Sequence, residues 1–206
     1  MTTSTNKTRR IVLASGNAGK LREFSALLAG SGFEFVRQSD LHVPEADETG
    51  LTFVENAIIK ARNAAEHTGL PALADDSGLE VDALAGEPGI YSSRYAGPGG
   101  DNGANVIKLL AALKDVPHAE RTARFRCLIV YLRHAADPTP LICQGTWEGH
   151  ILDAPRGNGG FGYDPVFLVP SYECSAAELP AKIKNQLSHR GQAMTALLSA
   201  FSAARS

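Results

Sequence analysis

The sequence predicts an α/β protein in which helices flank a mixed β-sheet. The apolar run at 11–13 precedes a glycine-containing turn and then a stripe of apolar residues spaced three and four apart, which is typical of strand, turn and helix. A second helical stripe at 53–65 leads into a short apolar run at 72–74. The apolar runs at 123–133 and 141–149 are joined by a turn and predict an antiparallel pair, so the sheet is expected to be mixed.

Composition places the chain among ordinary globular proteins. Its 206 residues fit one large domain or two small lobes sharing a core, and 44% are hydrophobic while 20% are charged. The net charge of −2 disfavours nucleic acid as the main partner, and no apolar run approaches the roughly 20 residues of a membrane span. Residues 1–8 are predicted to form a disordered tail without signal character. Three scattered cysteines are expected to be reduced, which favours the cytoplasm.

The turn between the first strand and the first helix has the composition of an anion-binding loop. Gly16 and Gly19 allow close backbone approach, a helix N-terminus offers free amide groups, and Lys20 adds a charge. The stretch differs from a Walker A loop, because Ala14 replaces a glycine and Leu21 replaces Ser or Thr. The alternative is a tight turn followed by a solvated lysine.

Acidic residues precede the second helix. Three carboxylates lie within the four residues 45–48, and Thr52 with Glu55 forms a capping box that opens the helix. Asn56 and Lys60 are four residues apart and therefore share one face of that helix. The simpler interpretation of the acids is a favourable interaction with the helix dipole.

Two further carboxylates follow the apolar run at 72–74. We expect a short buried strand that runs into Asp75, Asp76 and then a turn at 77–79. Adjacent strand residues point to opposite faces, so at most one of the two aspartates is expected to face a given ligand. Buried carboxylates need compensation, which a divalent cation, a lysine or amide groups could supply.

The C-terminal half contributes glycines, aromatic residues and cations. The segment 156–165 packs four glycines around two aromatic residues and an acid, as a backbone contacting a flat ligand would require. Ser175 and Glu178 are expected to form a capping box, and Ser188 is expected to cap a last helix. Cations at 189–190 in the first turn of that helix are unfavourable unless an anion is near, which indicates a bound ligand.

Taken in order, these motifs resemble the inosine triphosphate pyrophosphatase family, also called non-standard purine NTP pyrophosphatases or dITP/XTP diphosphatases. The resemblance runs from about residue 11 to 201. The motifs that carry it are Ser15-Gly16-Asn17-x-Gly19-Lys20, Glu48-Thr49-Gly50-x-Thr52-Phe53-x-Glu55-Asn56-Ala57, Ala74-Asp75-Asp76-Ser77-Gly78-Leu79, Pro88-Gly89-Ile90-Tyr91-Ser92-x-Arg94-Tyr95, Gly159-Gly160-Phe161-Gly162-Tyr163-Asp164-Pro165 and Ser188-His189-Arg190-Gly191.

The resemblance implies a single domain at 9–206 with two lobes around a long mixed sheet, an active-site cleft between the lobes, and a homodimer. It implies Mg²⁺-dependent hydrolysis of dITP, ITP and XTP to the monophosphate and pyrophosphate in the cytoplasm. The expected catalytic residues are Asp76, Lys20 and Lys60, and the expected metal ligands are Asp47, Glu48 and Asp76. Substrate is expected to contact Ser15, Gly16, Asn17, Ala18, Gly19, Lys20, Ser77, Arg94, Phe161, Gly162, Tyr163, Asp164, Lys184, His189 and Arg190.

Two other classes of function remain open from the sequence. A nucleotide-sensing module could use the same cleft without turnover, although it would not need four carboxylates near the phosphates. The related Maf-type pyrophosphatases share the lobed shape and act on other nucleotides. No nucleic acid and no membrane are expected as partners.

Overall fold

The computed structural model describes residues 10–203, so the tail predicted at 1–8 lies outside the described residues. This part of the chain forms seven strands and five α-helices. In chain order they are β1 (Arg10–Ala14), α1 (Ala18–Leu27), β2 (Glu34–Arg37), α2 (Phe53–Thr68), β3 (Ala72–Val81), α3 (Asn102–Ala112), β4 (Thr122–Leu132), β5 (Leu141–Ile151), β6 (Phe167–Val169), β7 (Cys174–Ser175), α4 (Ala181–Leu187) and α5 (His189–Ala203).

The strands form one mixed sheet in the order β2-β1-β3-β4-β5-β6-β7. Strand β1 runs parallel to both β2 and β3, and every pair from β3 to β7 is antiparallel. The predicted α/β class, the mixed sheet and the antiparallel return are therefore confirmed. Strands β2 and β3, which follow β1 in the chain, lie on opposite sides of it in the sheet. The carboxyl end of β1 is therefore a switch point of the kind where α/β proteins bind ligands.

Polar residues begin three of the helices, and the cap predicted at Thr52 is confirmed. Asn17 caps α1 by accepting from the Lys20 amide, and Asp101 caps α3 by accepting from two amides. Thr52 caps α2 by accepting from the Glu55 amide, while the Glu55 carboxylate accepts from the amide of Leu51. This reciprocal capping box fixes where α2 starts and therefore where its polar side chains lie.

Helices cover both faces of the sheet. Alanines of α2 pack on the small residues of β1 and β3, which lets this helix approach closely on one face. On the opposite face α1 and α5 pack against β1, β3 and β4. A further apolar core lies around α3, β5 and β6 and includes the far ends of β3 and β4. Strand β3 thus runs from one core to another, with polar residues between the two.

Two local expectations are wrong. Strand β3 does not end in a turn after the aspartates but continues to Val81, because residues 72–81 pair along their whole length with β4. Ser175 and Glu178 do not begin a helix. The Glu178 carboxylate accepts from the Ser175 amide, but Ser175 lies in β7 and α4 starts only after Pro180.

Within residues 10–203, no helix has both the length and the apolar character needed to cross a bilayer. Cys127, Cys143 and Cys174 are free thiols. Cys127 is fully buried, and burial raises the pKa of its thiol to about 12.

Candidate active site

A cavity of about 700 Å³ opens beside the carboxyl end of β1, and we call it the outer chamber. Because Ala14 is paired with Ala74, the aspartates that follow Ala74 project beyond the point where β1 stops. The chamber is lined by Ala14, Ser15, Gly16, Asn17, Lys20, Gln38, Glu45, Ala46, Asp47, Glu48, Thr49, Lys60, Asp76, Ser77, Ile90, Ser93 and Arg94. Residues distant in the sequence therefore meet around one polar cavity.

Lys60 joins the two carboxylates at the centre of the outer chamber. Its Nζ lies 2.8 Å from Glu48 Oε1 and 2.8 Å from Asp76 Oδ1. Arg94 Nη1 lies 3.3 Å from the other oxygen of Glu48, Oε2. Glu48 and Asp76 thus face a common point, as the predicted metal pair requires. Lys20 lines the same chamber, but its ammonium group contacts Asp75, with Nζ 2.9 Å from Oδ2.

The two carboxylates of the pair differ in acidity. Burial raises the pKa of Asp76, and the neighbouring Glu48 adds to this effect, while Lys60 and Lys20 oppose it. Burial also works against ionisation of Glu48, but Lys60 and then Lys20 reverse the effect, so its pKa is lowered. Desolvation would lower the pKa of Lys60, yet the surrounding carboxylates raise it. The lysine stays charged, Asp76 is more basic than an ordinary aspartate, and Glu48 is more acidic than an ordinary glutamate.

Asn56, one turn before Lys60 on α2, connects the acidic loop to β3. Its Oδ1 accepts from the Gly50 amide at 2.8 Å, and its Nδ2 donates to Asp76 Oδ2 at 3.4 Å. The side chain is fully buried. Asn56 therefore holds the loop that carries Glu48 in a fixed position relative to Asp76.

The turn before α1 places backbone against both the chamber and an aromatic ring. A Cβ at Gly16 would overlap the Glu45 carboxylate, and a Cβ at Gly19 would lie 2.7 Å from the ring of Phe161. A side chain at Gly19 would therefore displace the Phe161 ring, whereas at Gly16 only the flexible end of Glu45 would have to move. The amide of Ala18 belongs to the first turn of α1, whose early amides have no partner within the helix.

A second, smaller cavity of about 80 Å³ adjoins the outer chamber, and we call it the inner pocket. The two share Asn17, Lys20, Ser77 and Ser93. Its other lining residues are Gly78, Leu79, Ser92, Asn102, Phe125, Phe161, Gly162, Tyr163, Asp164, Lys184, His189 and Arg190. One polar cavity and one partly aromatic pocket thus form a continuous site.

Buried ion pairs form the charged side of the inner pocket. Glu23 on α1 accepts from Lys184 Nζ at 2.8 Å and from Arg190 Nη1. Lys184 Nζ also lies 2.5 Å from Asp164 Oδ2, and Arg190 Nη2 lies 3.4 Å from Asp75 Oδ2. The anion expected at the start of α5 is therefore supplied by the protein itself: Arg190 is neutralised by Glu23 and Asp75, so its position does not by itself require a ligand.

Ser77 lies between the two cavities. Its hydroxyl accepts from Arg190 Nη2 at 2.7 Å and donates to Asp75 Oδ2 at 2.8 Å. Burial opposes ionisation of Asp75, but Lys20 and Arg190 outweigh it and hold the pKa of Asp75 far below its usual value. Asp75 remains an anion that orients these cations.

The glycine-rich segment presents Phe161 and turns Tyr163 inward. The Phe161 ring is partly exposed, with Lys184 Nζ 5.1 Å from its centroid. Tyr163 is buried, and its hydroxyl donates to the carbonyl of Ser92 at 2.8 Å. Asp164 accepts from the Phe161 amide at 2.8 Å, and burial raises the pKa of Asp164 despite the nearby Lys184. The backbone of Gly162 is in the left-handed region, with φ +63°, which favours glycine at this position.

The structure brings nearly all the predicted site residues to the two cavities. Gly19 and Ala18 contribute through the turn rather than as lining residues, and Asp47 is exposed at the chamber rim without an ion pair among the described residues. Sequence reasoning missed Glu23, the role of Asn56, and Ser93. Glu23 lies three residues after Lys20 on α1. This spacing puts both residues on one face of the helix, and it is the sequence signal that could have identified Glu23.

The chamber offers two carboxylates to a metal ion. Among residues 10–203, no group of three or more His, Cys, Asp or Glu side chains is arranged to hold one. Mg²⁺ commonly takes one or two protein carboxylates and completes its shell with waters and phosphate oxygens. Glu48 and Asp76, already facing the Lys60 ammonium, fit that donor set.

Comparison with known proteins agrees with this arrangement. The family model described as "Ham1 family" matches residues 11–200. The chain is similar to the dITP/XTP pyrophosphatase of Thioalkalivibrio sulfidiphilus, with 65% identity over 92% of this chain and 96% of the relative. It is also similar to the dITP/XTP pyrophosphatase of Escherichia coli strain K12, with 58% identity over 93% and 98% of the two chains.

Solved structures show the same fold. A HAM1 protein from Coxiella burnetii superposes with a TM-score of 0.88 at 51% identity, covering 95% of this chain and 99% of the other. The Staphylococcus aureus Ham1 protein gives a TM-score of 0.84 at 40% identity, covering 95% and 99%. The family resemblance read from the sequence is confirmed, and the chain belongs to the Ham1 family.

Proposed function

We propose that this protein is a Mg²⁺-dependent nucleoside-triphosphate pyrophosphohydrolase that converts dITP, ITP and XTP to the monophosphate and pyrophosphate. The observation that carries the proposal is the Glu48–Lys60–Asp76 arrangement in a chamber that also contains Lys20 and Arg94 and opens into an aromatic pocket. The names of relatives that are 58–65% identical over nearly the whole chain support the same activity.

Magnesium would be held by Glu48 and Asp76, with Asp47 at the rim as a further carboxylate. When bound, the ion neutralises phosphate charge and promotes formation of the attacking hydroxide. The chain's own contribution is to keep both carboxylates facing one point, through Lys60 and Asn56.

Asp76 is the proposed general base. Its burial raises its pKa and makes it a better proton acceptor than an exposed aspartate. Lys60 and Asn56 hold its two oxygens, so the carboxylate is oriented before substrate arrives. A water positioned by Asp76 would attack the α-phosphorus and release pyrophosphate.

The triphosphate would lie along the outer chamber. Lys20, Lys60 and Arg94 supply positive charge there, and electrostatic stabilisation of this kind is the main contribution in phosphoryl transfer. The turn from Ser15 to Gly19 supplies backbone amides and close approach at the N-terminus of α1. Ser77, shared by both cavities, lies where the nucleoside and the phosphates would meet.

The base would enter the inner pocket beside Phe161, with Gly162 and Tyr163 forming the backbone wall. Lys184, His189, Arg190 and Asp164 surround the pocket with hydrogen-bonding groups. A site that donates to a 6-oxo group leaves its donors unpaired against the 6-amino group of adenine, and such mismatches discriminate strongly.

We further propose a cytoplasmic homodimer built from one two-lobed domain at 9–206. Free cysteines and a nucleotide substrate support the compartment. Sedimentation of the purified protein tests the assembly.

Product analysis tests the activity. The protein is incubated with Mg²⁺ and dITP, ITP, XTP, dATP, dGTP, dTTP or UTP, and pyrophosphate and nucleotide products are quantified. We expect pyrophosphate and monophosphate from the first three and little from the others. Binding of dITP without turnover would indicate a sensing module, and preference for dTTP or UTP would indicate a Maf-type activity.

A further inference from the structure

His189 lines the inner pocket, and no residue of the described part of the chain holds its ring by a hydrogen bond. Its side chain is buried, and its Nδ1 has no hydrogen-bond partner among residues 10–203. Burial, together with the charges of Arg190 and Lys184, holds the pKa of His189 well below its usual value, so the imidazole is neutral. A neutral ring can both donate and accept, and its orientation decides which edge meets a ligand.

The ring of Phe125 on β4 lies flat against His189. The ring centroids are 4.8 Å apart and the planes differ by 13°. Phe125 is itself supported from behind by Phe167, with centroids 4.6 Å apart, and by Trp147 at 6.3 Å. The plane of the imidazole is therefore set by Phe125 and the aromatic rings packed around it, rather than by a polar contact.

The backbone of His189 is fixed on the neighbouring strand. A Cβ at Gly145 of β5 would overlap the carbonyl oxygen of His189 and would lie 2.9 Å from the amide of Ala193. Only glycine lets the first turn of α5 pack this closely. Strand β4 thus orients the ring while strand β5 places the main chain, and Gly145 is paired with Cys127, two residues along β4 from Phe125.

We propose that Phe125 is a positioning residue for base discrimination, acting by fixing the plane of His189 against the purine edge. This inference rests on the proposed function, in which His189 contacts the base. Aromatic stacking of this geometry is favourable beyond simple burial, and removing it frees rotation of a ring that has no hydrogen bond to restrain it. The neutral imidazole would then pair with an amino group nearly as readily as with a keto group.

The test compares Phe125→Leu with the matched control Phe201→Leu. Phe201 is also buried and packs against other aromatic rings, but it belongs to a different core and does not line the inner pocket. Both variants lose a buried ring, so both are expected to lower the Tm. We expect only Phe125→Leu to reduce the ratio of kcat/KM for dITP over dATP, by about tenfold, a part of what a hydrogen-bonding site achieves. If Phe125→Leu does not fold, Phe125→Met replaces it, because Met has similar volume without a planar face.

A second measurement does not depend on turnover. In spectra of ¹³C-labelled histidine, the His189 ring protons are expected upfield in the wild type and in Phe201→Leu, because of the Phe125 ring current, and shifted and broadened in Phe125→Leu. An unchanged dITP preference and an unchanged His189 signal in Phe125→Leu would overturn the positioning role while leaving the proposed function intact. A wild type that does not hydrolyse dITP, with the ring shift still observed, would instead remove the proposed function.

Discussion

Asp75 and Asp76 are adjacent on β3, yet they face two different environments. Asp75 is fully enclosed with Lys20, Arg190 and Ser77, and its pKa is held far below the usual range. Asp76 points through the opposite face into the open chamber, where burial raises its pKa. The same residue type, one peptide bond apart, is thus an inert anion on one face and a basic carboxylate on the other.

The ion-pair partners of each aspartate, and not its residue type, therefore decide whether its pKa is lowered or raised. On the Asp75 face, cations and anions pair within the protein and hold α1, β3 and α5 together. On the Asp76 face, Lys60 contacts both carboxylates and Arg94 contacts Glu48, so Asp76 shares Lys60 with Glu48 and faces an open chamber that a metal ion or a water can enter. The ion pairs on the Asp75 face stabilise the fold, whereas the Asp76 face is the one we propose for catalysis.

Turnover is expected to change most. Asp76→Asn should lower kcat for dITP by about 10²- to 10⁴-fold, the range for loss of a general base, and more if metal binding is also lost. The Tm should stay equal or rise slightly, because the substitution removes a carboxylate whose raised pKa shows that its charge is unfavourable there. Steady-state kinetics and thermal unfolding check both. The control is Asp115→Asn, an exposed aspartate that lines neither cavity, which should stay close to wild type. Wild-type-like kcat in Asp76→Asn would remove this residue from the mechanism.

Asp75→Asn should have the opposite profile, with a large loss of stability. Removing one partner of a buried charged network costs about 3 to 5 kcal/mol, because Arg190 and Lys20 lose their shared anion. For a chain of this size that corresponds to a fall in Tm of about 10 °C. Unfolding in denaturant measures it. A variant as stable as wild type would show that the network on this face contributes nothing.

The smallest effect is a difference in pH dependence, measured on metal-free protein. The folded pKa of Asp75 is depressed, so its stabilisation is present above the unfolded value near 4 and is lost as the pH falls below it. The folded pKa of Asp76 is raised, so its cost is present at neutral pH and is relieved as the pH falls through that value. Relative to wild type, Asp75→Asn should therefore recover stability on acidification, while Asp76→Asn should lose its advantage. Parallel pH profiles for the two variants would contradict the comparison.

Much of the fold could be predicted because its signals are local. The capping box at Thr52 and the antiparallel return depend on residues close in sequence. The length of β3 could not be predicted, because its second half is stabilised by pairing with β4, about fifty residues later. The helix start predicted at Ser175 is wrong for a related reason. The local capping pattern is present there, but pairing with β6 makes the segment a strand.

The sequence predicts which residues line the two cavities, but it does not predict which of them form ion pairs with one another. The sequence identifies Lys20 and Arg190 as cations of interest, but it does not show that Asp75 and Glu23 already neutralise Arg190, since these residues are 115 and 167 positions away from it. The same limit hid the stacking of Phe125 on His189. Such pairs depend on how strands and helices are packed, which no local pattern encodes.

We propose that one continuous site holds the triphosphate in the outer chamber and the base in the inner pocket, and a crystal structure of Asp76→Asn with Mg²⁺ and dITP would reveal both positions. We expect phosphates beside Lys20, Lys60 and Arg94, the ion at Glu48, and hypoxanthine between Phe161 and His189. A nucleotide bound elsewhere, or bound with its base in the outer chamber, would rule out this binding mode.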